Sequence, residues 1–276
     1  MTRFCPLLPI CALLAAAQPS FAFATLTSET AREFDRYVEA AESRMAQDLQ
    51  PARFLQMDAA PDLKARVRAG ELVIQSGPML AGAKEIKVSG GLLQDWLGML
   101  LIPGASIAGV RAVLQDYPNY KNFYQPEVIE SREISHHGDE YEIFLRLYEK
   151  HILTVVLNAN YHVRYAMLDA KRMYVESHST RIAEVKDPNY SYTEEEPVGD
   201  DTGFLWRLNS YWRFEQADGG VYAECEAISL SRDVPFGLGF MLKGFLEQFP
   251  KESMLNTLRG TKAAVLAREN QAGETR

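Results

Sequence analysis

The sequence predicts an α+β chain in which a run of antiparallel strands is followed by one long C-terminal helix. Three observations predict it. The segment 203–235, GFLWRLNSYWRFEQADGGVYAECEAISLSRDVP, reads as two strands joined by a tight turn at Asp218-Gly219. Both central residues of such a turn need positive φ, which makes Asp-Gly between alternating runs a strong hairpin signal. Four further runs with strand character lie between Val128 and Val185. Finally, Met254, Leu258, Thr261 and Val265 recur at helical spacing and form one stripe.

With the turn centred on Asp218-Gly219 the hairpin register follows. Gln216 falls opposite Val221, Phe214 opposite Ala223, Arg213 opposite Glu224, Trp212 opposite Cys225 and Tyr211 opposite Glu226. Successive side chains point to opposite faces of a strand. One face therefore carries Phe204, Trp206, Leu208, Trp212 and Phe214 against Ala223, Cys225, Ala227, Ser229 and Ser231. Large rings meet a column of small side chains. This is either a core face packed on a helix or the wall of an internal cavity, in which small residues leave room that the rings do not fill. The other face carries Arg207, Arg213 and Glu215 against Glu224 and Glu226. It reads as a solvated opposite-charge ladder, favoured because burying such pairs is costly; the alternative is that Arg213 and Glu224 form a polar pair inside a cavity that orients a ligand head group.

The remaining elements follow in order. Phe34, Tyr37, Val38, Ala41 and Met45 make an apolar stripe on a helix over 28–49, with Thr30 and Glu33 at capping-box spacing; it must dock on something, most simply the following domain. From Pro51 to Gly91 the pattern is weak, with strands at Glu71–Ser76 and Lys84–Ser89 and a solvated basic cluster at Lys64, Arg66 and Arg68. Leu92–Ile102 reads as a strand stopped by Pro103-Gly104. Ser106 is the N-cap of a helix ending near Gln115, and a short second helix holds Tyr120, Phe123 and Tyr124. Strands follow at 128–135, 140–150, 152–165 and 171–185, the first two joined through His136-His137-Gly138-Asp139. Tyr161, Val163 and Tyr165 are assigned to the inner face. The acidic stretch 186–201 reads as an exposed loop. After Pro235 the glycines at 237, 239 and 244 make a weak start to a helix, and the firm last helix is placed at 250–268, with Pro250 in its first turn and residues 269–276 as a frayed tail.

The 276 residues are 47% hydrophobic and 24% charged, a globular composition with length enough for a sizeable core. The formal net charge of −8, without a basic block, argues against nucleic acid or an anionic membrane surface as partner. Residues 1–24 carry Arg3, an apolar run from Pro6 to Ala17 and the triplet Ala22-Phe23-Ala24, and read as a secretory signal peptide cleaved after Ala24. Processing would leave 28 basic and 37 acidic residues, a net charge of −9, and would place the protein in the periplasm or outside the cell. It would also remove Cys5 and Cys11, leaving Cys225 alone, on the small-residue face, as a buried inert thiol. The domain plan is thus a signal peptide at 1–24, a helical extension at 25–85, the strand-rich domain at 86–268 and a tail at 269–276.

Chemistry-bearing motifs are few. His136 and His137 adjoin a turn, and His151, His162 and His178 have no metal-ligand spacing with one another or with Cys225, so neither a metal nor a cofactor is expected. Neither a nucleophile elbow nor a glycine-rich phosphate loop occurs. Arg146 and Arg164 are candidates for a cavity mouth.

Four motifs carry a resemblance over residues 86–268: Ile102-Pro103-Gly104-Ala105, Val113-Leu114-Gln115-Asp116-Tyr117, Tyr124-Gln125-Pro126-Glu127-Val128 and Pro250-Lys251-Glu252-Ser253. With the order of elements, they resemble the START-related (SRPBCC) superfamily of lipid-transfer domains, birch-pollen-allergen relatives and polyketide cyclases. The segment 203–235 is similar to that of secreted bacterial members. The resemblance implies a helix-grip fold, a curved antiparallel sheet wrapped around the C-terminal helix and enclosing an apolar cavity closed at one end by the two short helices. It implies a lipid, isoprenoid or aromatic ligand. The expected function is non-catalytic binding or transport of such a molecule, with Trp206, Trp212, Phe214 and Tyr161 as wall and Met254 and Leu258 as the helix side. The alternatives are a cyclase- or hydrolase-type enzyme, for which Glu224, Glu226 and Arg232 are the nameable titratable groups, and a partner-docking domain with a filled core. No catalytic residue is assigned.

Overall fold

The structure, a computed structural model, describes residues 24–49, 53–77, 88–150, 154–233 and 239–274, with the side chains of 250–273 in the last segment. The expected signal peptide lies outside these residues apart from Ala24, as does most of the strand expected at Lys84–Ser89.

The chain forms β1 (Ala24–Thr25), α1 (Ser28–Asp48), a 3-10 turn (Gln56–Ala59), α2 (Pro61–Arg68), β2 (Val73–Ser76), β3 (Gly91–Pro103), α3 (Ile107–Leu114) and α4 (Tyr120–Phe123). There follow β4 (Val128–His137), β5 (Glu140–Lys150), β6 (Thr154–Met167), β7 (Arg172–Glu184), β8 (Asp200–Asp201), β9 (Arg207–Ala217), β10 (Gly220–Arg232) and α5 (Gly239–Glu274). The eight long strands pair antiparallel in the order β2-β3-β10-β9-β7-β6-β5-β4, while β1 pairs with β8. The strand plan thus has α+β character with the helices segregated from the sheet.

The β9–β10 hairpin has the expected register, all five pairs included, and Asp218 and Gly219 both adopt positive φ (51° and 75°). Its inner face carries Trp212, Phe214, Ala223 and Cys225 into the main core, onto which α5 brings Met254, Leu258 and Val265. The four stripe residues of α5, Thr261 among them, are all buried.

Two expectations about α5 are corrected. The helix begins at Gly239 rather than Pro250, so the proline lies inside it and not in its first turn. It also continues to Glu274, where a frayed tail was expected. Glu269 explains part of that extension: its Oε1 accepts from the backbone N–H of Ser106 (2.9 Å) and the Ser106 hydroxyl (2.7 Å) at the start of α3. Ser106 caps α3 by accepting from Gly109 N–H.

α5 lies close on α4 because residue 260 has no side chain. A Cβ there would sit 2.5 Å from the carbonyl oxygen of Phe123 and 2.9 Å from the Tyr124 ring. Alanine is the better helix former by about 1 kcal/mol, yet Gly260→Ala is expected to destabilise by about 1–3 kcal/mol, since backbone cannot yield cheaply. Urea unfolding measures this, and a gain in stability would refute the close packing.

The outer face of the sheet is not solvated. α1 lays Phe34, Tyr37, Ala41 and Met45 onto Tyr174, Trp206, Tyr211, Ile228 and Leu230. The 3-10 turn and α2 cover Leu97, Met99, Leu101 and Tyr222 with Phe54, Leu55, Met57 and Val67. The cap of α1 is Thr27, which accepts from Thr30 N–H at 3.1 Å; Thr30 and Glu33, read as a capping box, instead hold the backbone of Ser89. The basic cluster on and beside α2 pairs at the surface: Lys64 with Asp58, Arg66 with Glu71 and Arg68 with Asp218.

This cover overturns the reading of Arg213 and Glu224 as a surface ladder pair. They are 3% and 1% exposed. Glu224 accepts from the backbone N–H groups of Gln56 and Met57, each at 2.8 Å. Glu226 accepts from Gln56 Nε2 (2.7 Å) and pairs with Arg44. Beside them Asp95 accepts from the Tyr37 hydroxyl at 2.6 Å. The ends of the Arg213 guanidinium, Nη1 and Nη2, are buried without a hydrogen-bond partner among the described residues.

Candidate ligand cavity

Between the inner face of the sheet and α5 lies a cavity of about 240 Å³. One side of its floor is the small-residue column of β10, Cys225, Ala227, Ser229 and Ser231. Opposite stand Trp212, Tyr161, Val163, Tyr165 and Val175 from β9, β6 and β7, with Met254 and Thr257 from α5 as a lid. The room exists because those β10 side chains stop at one or two heavy atoms while rings occupy the neighbouring strands.

The expected wall residues separate into three groups. Trp212, Tyr161 and Met254 line the cavity. Phe214 and Leu258 stand behind that lining, fully buried: the Phe214 ring stacks on Trp212 at 5.3 Å and 7°, and Leu258 fills the space over Gly98. Trp206 is a correction. It belongs to the outer core under α1, where its indole N–H donates to Asp201 Oδ1 at 3.0 Å. The parity counted from the turn fails before β9 begins: Phe204 and Leu205, consecutive in the chain, both face the cavity, and Trp206 is turned to the far side.

The end beneath α3 and α4 is closed by tyrosines that sequence reasoning did not bring together. Tyr165 donates to the carbonyl of Leu114 (2.7 Å), Tyr120 donates to the same oxygen (2.5 Å), and Tyr117 then donates to Tyr165 (2.7 Å). Thr261 donates to the Thr257 carbonyl, so Tyr124 donates to Thr261 (3.1 Å). Rings of Tyr117, Tyr120, Tyr124, Tyr141 and Tyr165 contact one another edge-on or tilted. Burial, above all other causes, holds the phenols of Tyr117, Tyr120, Tyr124 and Tyr165 well above the ordinary tyrosine range, so they are neutral donors. The spacing 117, 120, 124 places three rings on one side of a helical turn and was the available signal.

Near the N-terminal part of the described α5 side chains the lining turns polar, with Gln94, Glu127, Glu149 and Ser253. Glu127 accepts from Ser253 (3.0 Å) and Asn256 (2.8 Å). Burial, reinforced by the charges of Glu127 and Glu252, pushes the Glu149 carboxyl up to about 8. The carboxylates and arginine named for the enzyme alternative do not line the cavity: Glu224 and Glu226 lie under the N-terminal helices and Arg232 on the outer edge of Gly203. Arg146 and Arg164, expected near a mouth, face outward and pair with Glu130 and Glu176. His136 stacks on Tyr141 at the β4–β5 turn.

An antiparallel sheet packed against one long helix, with an apolar hollow between them, decides the architecture. The arrangement is of the helix-grip kind. Among solved structures, the chain is similar to a STAR-related lipid transfer protein from Xanthomonas axonopodis, at 17% identity over 66% of this chain and 96% of that one, with a TM-score of 0.44. It is similar to human STARD10 at 12% identity over 67% and 73%, with a TM-score of 0.42. It is similar to the Zhui aromatase/cyclase from a Streptomyces species at 8% identity over 65% and 94%, with a TM-score of 0.43. No protein-family model and no curated protein matches the chain. Among the described residues no helix is long and apolar enough to cross a membrane.

Proposed function

We propose that this START-like domain binds or carries a compact apolar molecule without catalysis, in the hollow between the sheet and α5. The observation that carries the reading is the cavity itself, about 240 Å³ with a floor of small residues facing aromatic rings. Its size falls just below the usual ligand pocket of about 300–1,000 Å³. That favours a molecule such as a short isoprenoid or a fused aromatic over a lipid with two long chains. The neutral tyrosine end offers no charge to bind a headgroup. A leader-like N-terminus adds that the protein performs this task after export.

Filling the hollow tests the reading. Ala227 lies on the floor opposite Ser210. In Ala227→Phe the new ring occupies the space, and the affinity for N-phenyl-1-naphthylamine, read by its fluorescence, is expected to fall at least about tenfold, the effect of roughly 1.4 kcal/mol of lost burial. Lack of any fluorescence gain with the unaltered protein, together with no small molecule released from protein purified from its own host, would sink it.

A further inference from the structure

The hydroxyl groups around the cavity fall into two sets. At the closed end four phenol protons are committed to a protein acceptor: Tyr117 to Tyr165, Tyr165 and Tyr120 to the Leu114 carbonyl, Tyr124 to Thr261. On the floor the hydroxyls of Tyr161, Ser177, Ser210 and Ser229 line the hollow, and no hydrogen bond ties up any of them among the described residues. Tyr161 is only 4% exposed. Burial alone raises its phenol above the usual range, with neither a hydrogen bond nor a charge acting on it.

These four groups are neighbours. Ser210 of β9 is paired with Ser177 of β7 and with Ala227 of β10. Ser229 lies two residues along β10 from Ala227, diagonal to Ser210. Val163 of β6 pairs with Ser177, and Tyr161, two residues away on the same face, is diagonal to it. A band of unused donors thus crosses four adjacent strands in the middle of an otherwise apolar wall. Tyr161 and Ser229 are buried and Ser177 and Ser210 half-buried; each hydroxyl offers one proton, and a ligand that covers them without accepting it would leave polar groups unpaired. Toward α3 and α4 the phenols are satisfied by the protein, and toward Ser231, Gln94 and Glu149 the lining turns polar again.

We propose that the ligand carries a neutral oxygen acceptor, a carbonyl or hydroxyl set within an apolar skeleton, and that it seats this oxygen on the hydroxyls of Tyr161, Ser177, Ser210 and Ser229. The inference rests on the binding role proposed above and adds the chemistry of the ligand. It separates a ketone- or alcohol-bearing isoprenoid or polycycle from a plain hydrocarbon and from an ion.

A matched pair of probes tests it. 2-Acetylnaphthalene and 2-ethylnaphthalene have nearly one shape and differ by the carbonyl oxygen. Each displaces N-phenyl-1-naphthylamine from the protein, and the ratio of their affinities is compared between the unaltered protein and the variants Tyr161→Phe and Ser177→Ala/Ser210→Ala. The ratio is expected to shift against the ketone by about threefold to tenfold in at least one variant, the ordinary worth of a net hydrogen bond. Because the ratio is internal to each variant, loosened packing that weakens both probes does not imitate the effect. An unchanged ratio in both variants, with both probes still bound, overturns the inference and leaves the binding role intact. Failure of 2-acetylnaphthalene to displace the dye from the unaltered protein, despite dye binding, overturns it as well. Absence of dye binding altogether removes the binding role and this inference with it.

Discussion

Glu224→Ala is expected to lose at least about 1–3 kcal/mol of stability, the usual cost of leaving a buried donor without its acceptor. Three groups lose their partner at once. The N–H groups of Gln56 and Met57 no longer have their carboxylate acceptor, and Arg213, 3% exposed and without a hydrogen bond at either Nη among the described residues, loses its counter-charge. Because those N–H groups belong to the 3-10 turn between α1 and α2, the loss should appear locally too, as faster proteolysis of residues 28–68. Urea unfolding at neutral pH gives the global number. Glu224→Gln keeps an acceptor and should cost less. The pair Glu224→Leu/Arg213→Met should recover only the part due to Arg213, because the Gln56 and Met57 N–H groups stay without an acceptor. A Glu224→Ala protein within 1 kcal/mol of the parent, equally resistant to protease, would show that this carboxylate does not hold the N-terminal cover.

Stability should rise as pH is lowered from about 8 to about 5, opposite to the trend of a protein dominated by surface ion pairs. Burial raises Glu224 and Glu184 to about 7 and Glu149 to about 8, and raises Asp95 as well, helped there by the charge of Glu226. Each is a carboxyl whose folded value lies above its unfolded one. Between the two values the native state holds protons that the unfolded chain releases, so the free energy of unfolding falls as pH rises through that window. Their stabilisation is fully present below about pH 4.5 and is lost by about pH 8. The groups facing the outer cluster are Tyr37 and Arg44 from α1, Asp58 beside Gln56, Arg213 from β9 and Glu226 from β10. Salt-bridged carboxyls such as Glu195 and Asp218 lie below their ordinary value and withdraw stability only at more acid pH. The summed effect is on the order of several kcal/mol, since each tenfold difference in proton affinity between the folded and unfolded chain is worth about 1.4 kcal/mol. Urea midpoints at pH 5, 6, 7 and 8 would decide it. A flat or rising series refutes the buried-acid account, and Glu184→Gln and Glu224→Gln should each reduce the slope.

Much of this is written locally in the chain. The Asp218-Gly219 turn sets the hairpin register, and the small-residue column of β10 announces the hollow that it lines. The stripes of α1 and α5 are both buried faces. What is not legible depends on contacts far apart in sequence. Arg213 and Glu224 look solvated within their own hairpin, and the residues that bury them lie some 170 positions earlier. Trp206 departs from the alternation because Gly203, at φ 74°, and the two inward residues after it reset the parity outside the strand. The tyrosine closure needs α3, α4 and β6 to meet, which no local pattern reports. The run from Gly239 through Pro250 hides its helix because proline is a strong local stop, whereas the helix passes through it.

Strand β10 separates two environments by the thickness of a single backbone. Cys225, Ala227 and Ser229 look toward the hollow, while Glu224, Glu226 and Ile228, each one step away, look toward the N-terminal cover. It is a partition rather than a wall of one room. Neighbouring positions in it answer to unrelated demands, odd numbers to the hollow and even numbers to the charges behind. Any shift of this strand that accommodates a guest is therefore also felt by the carboxylates on its reverse.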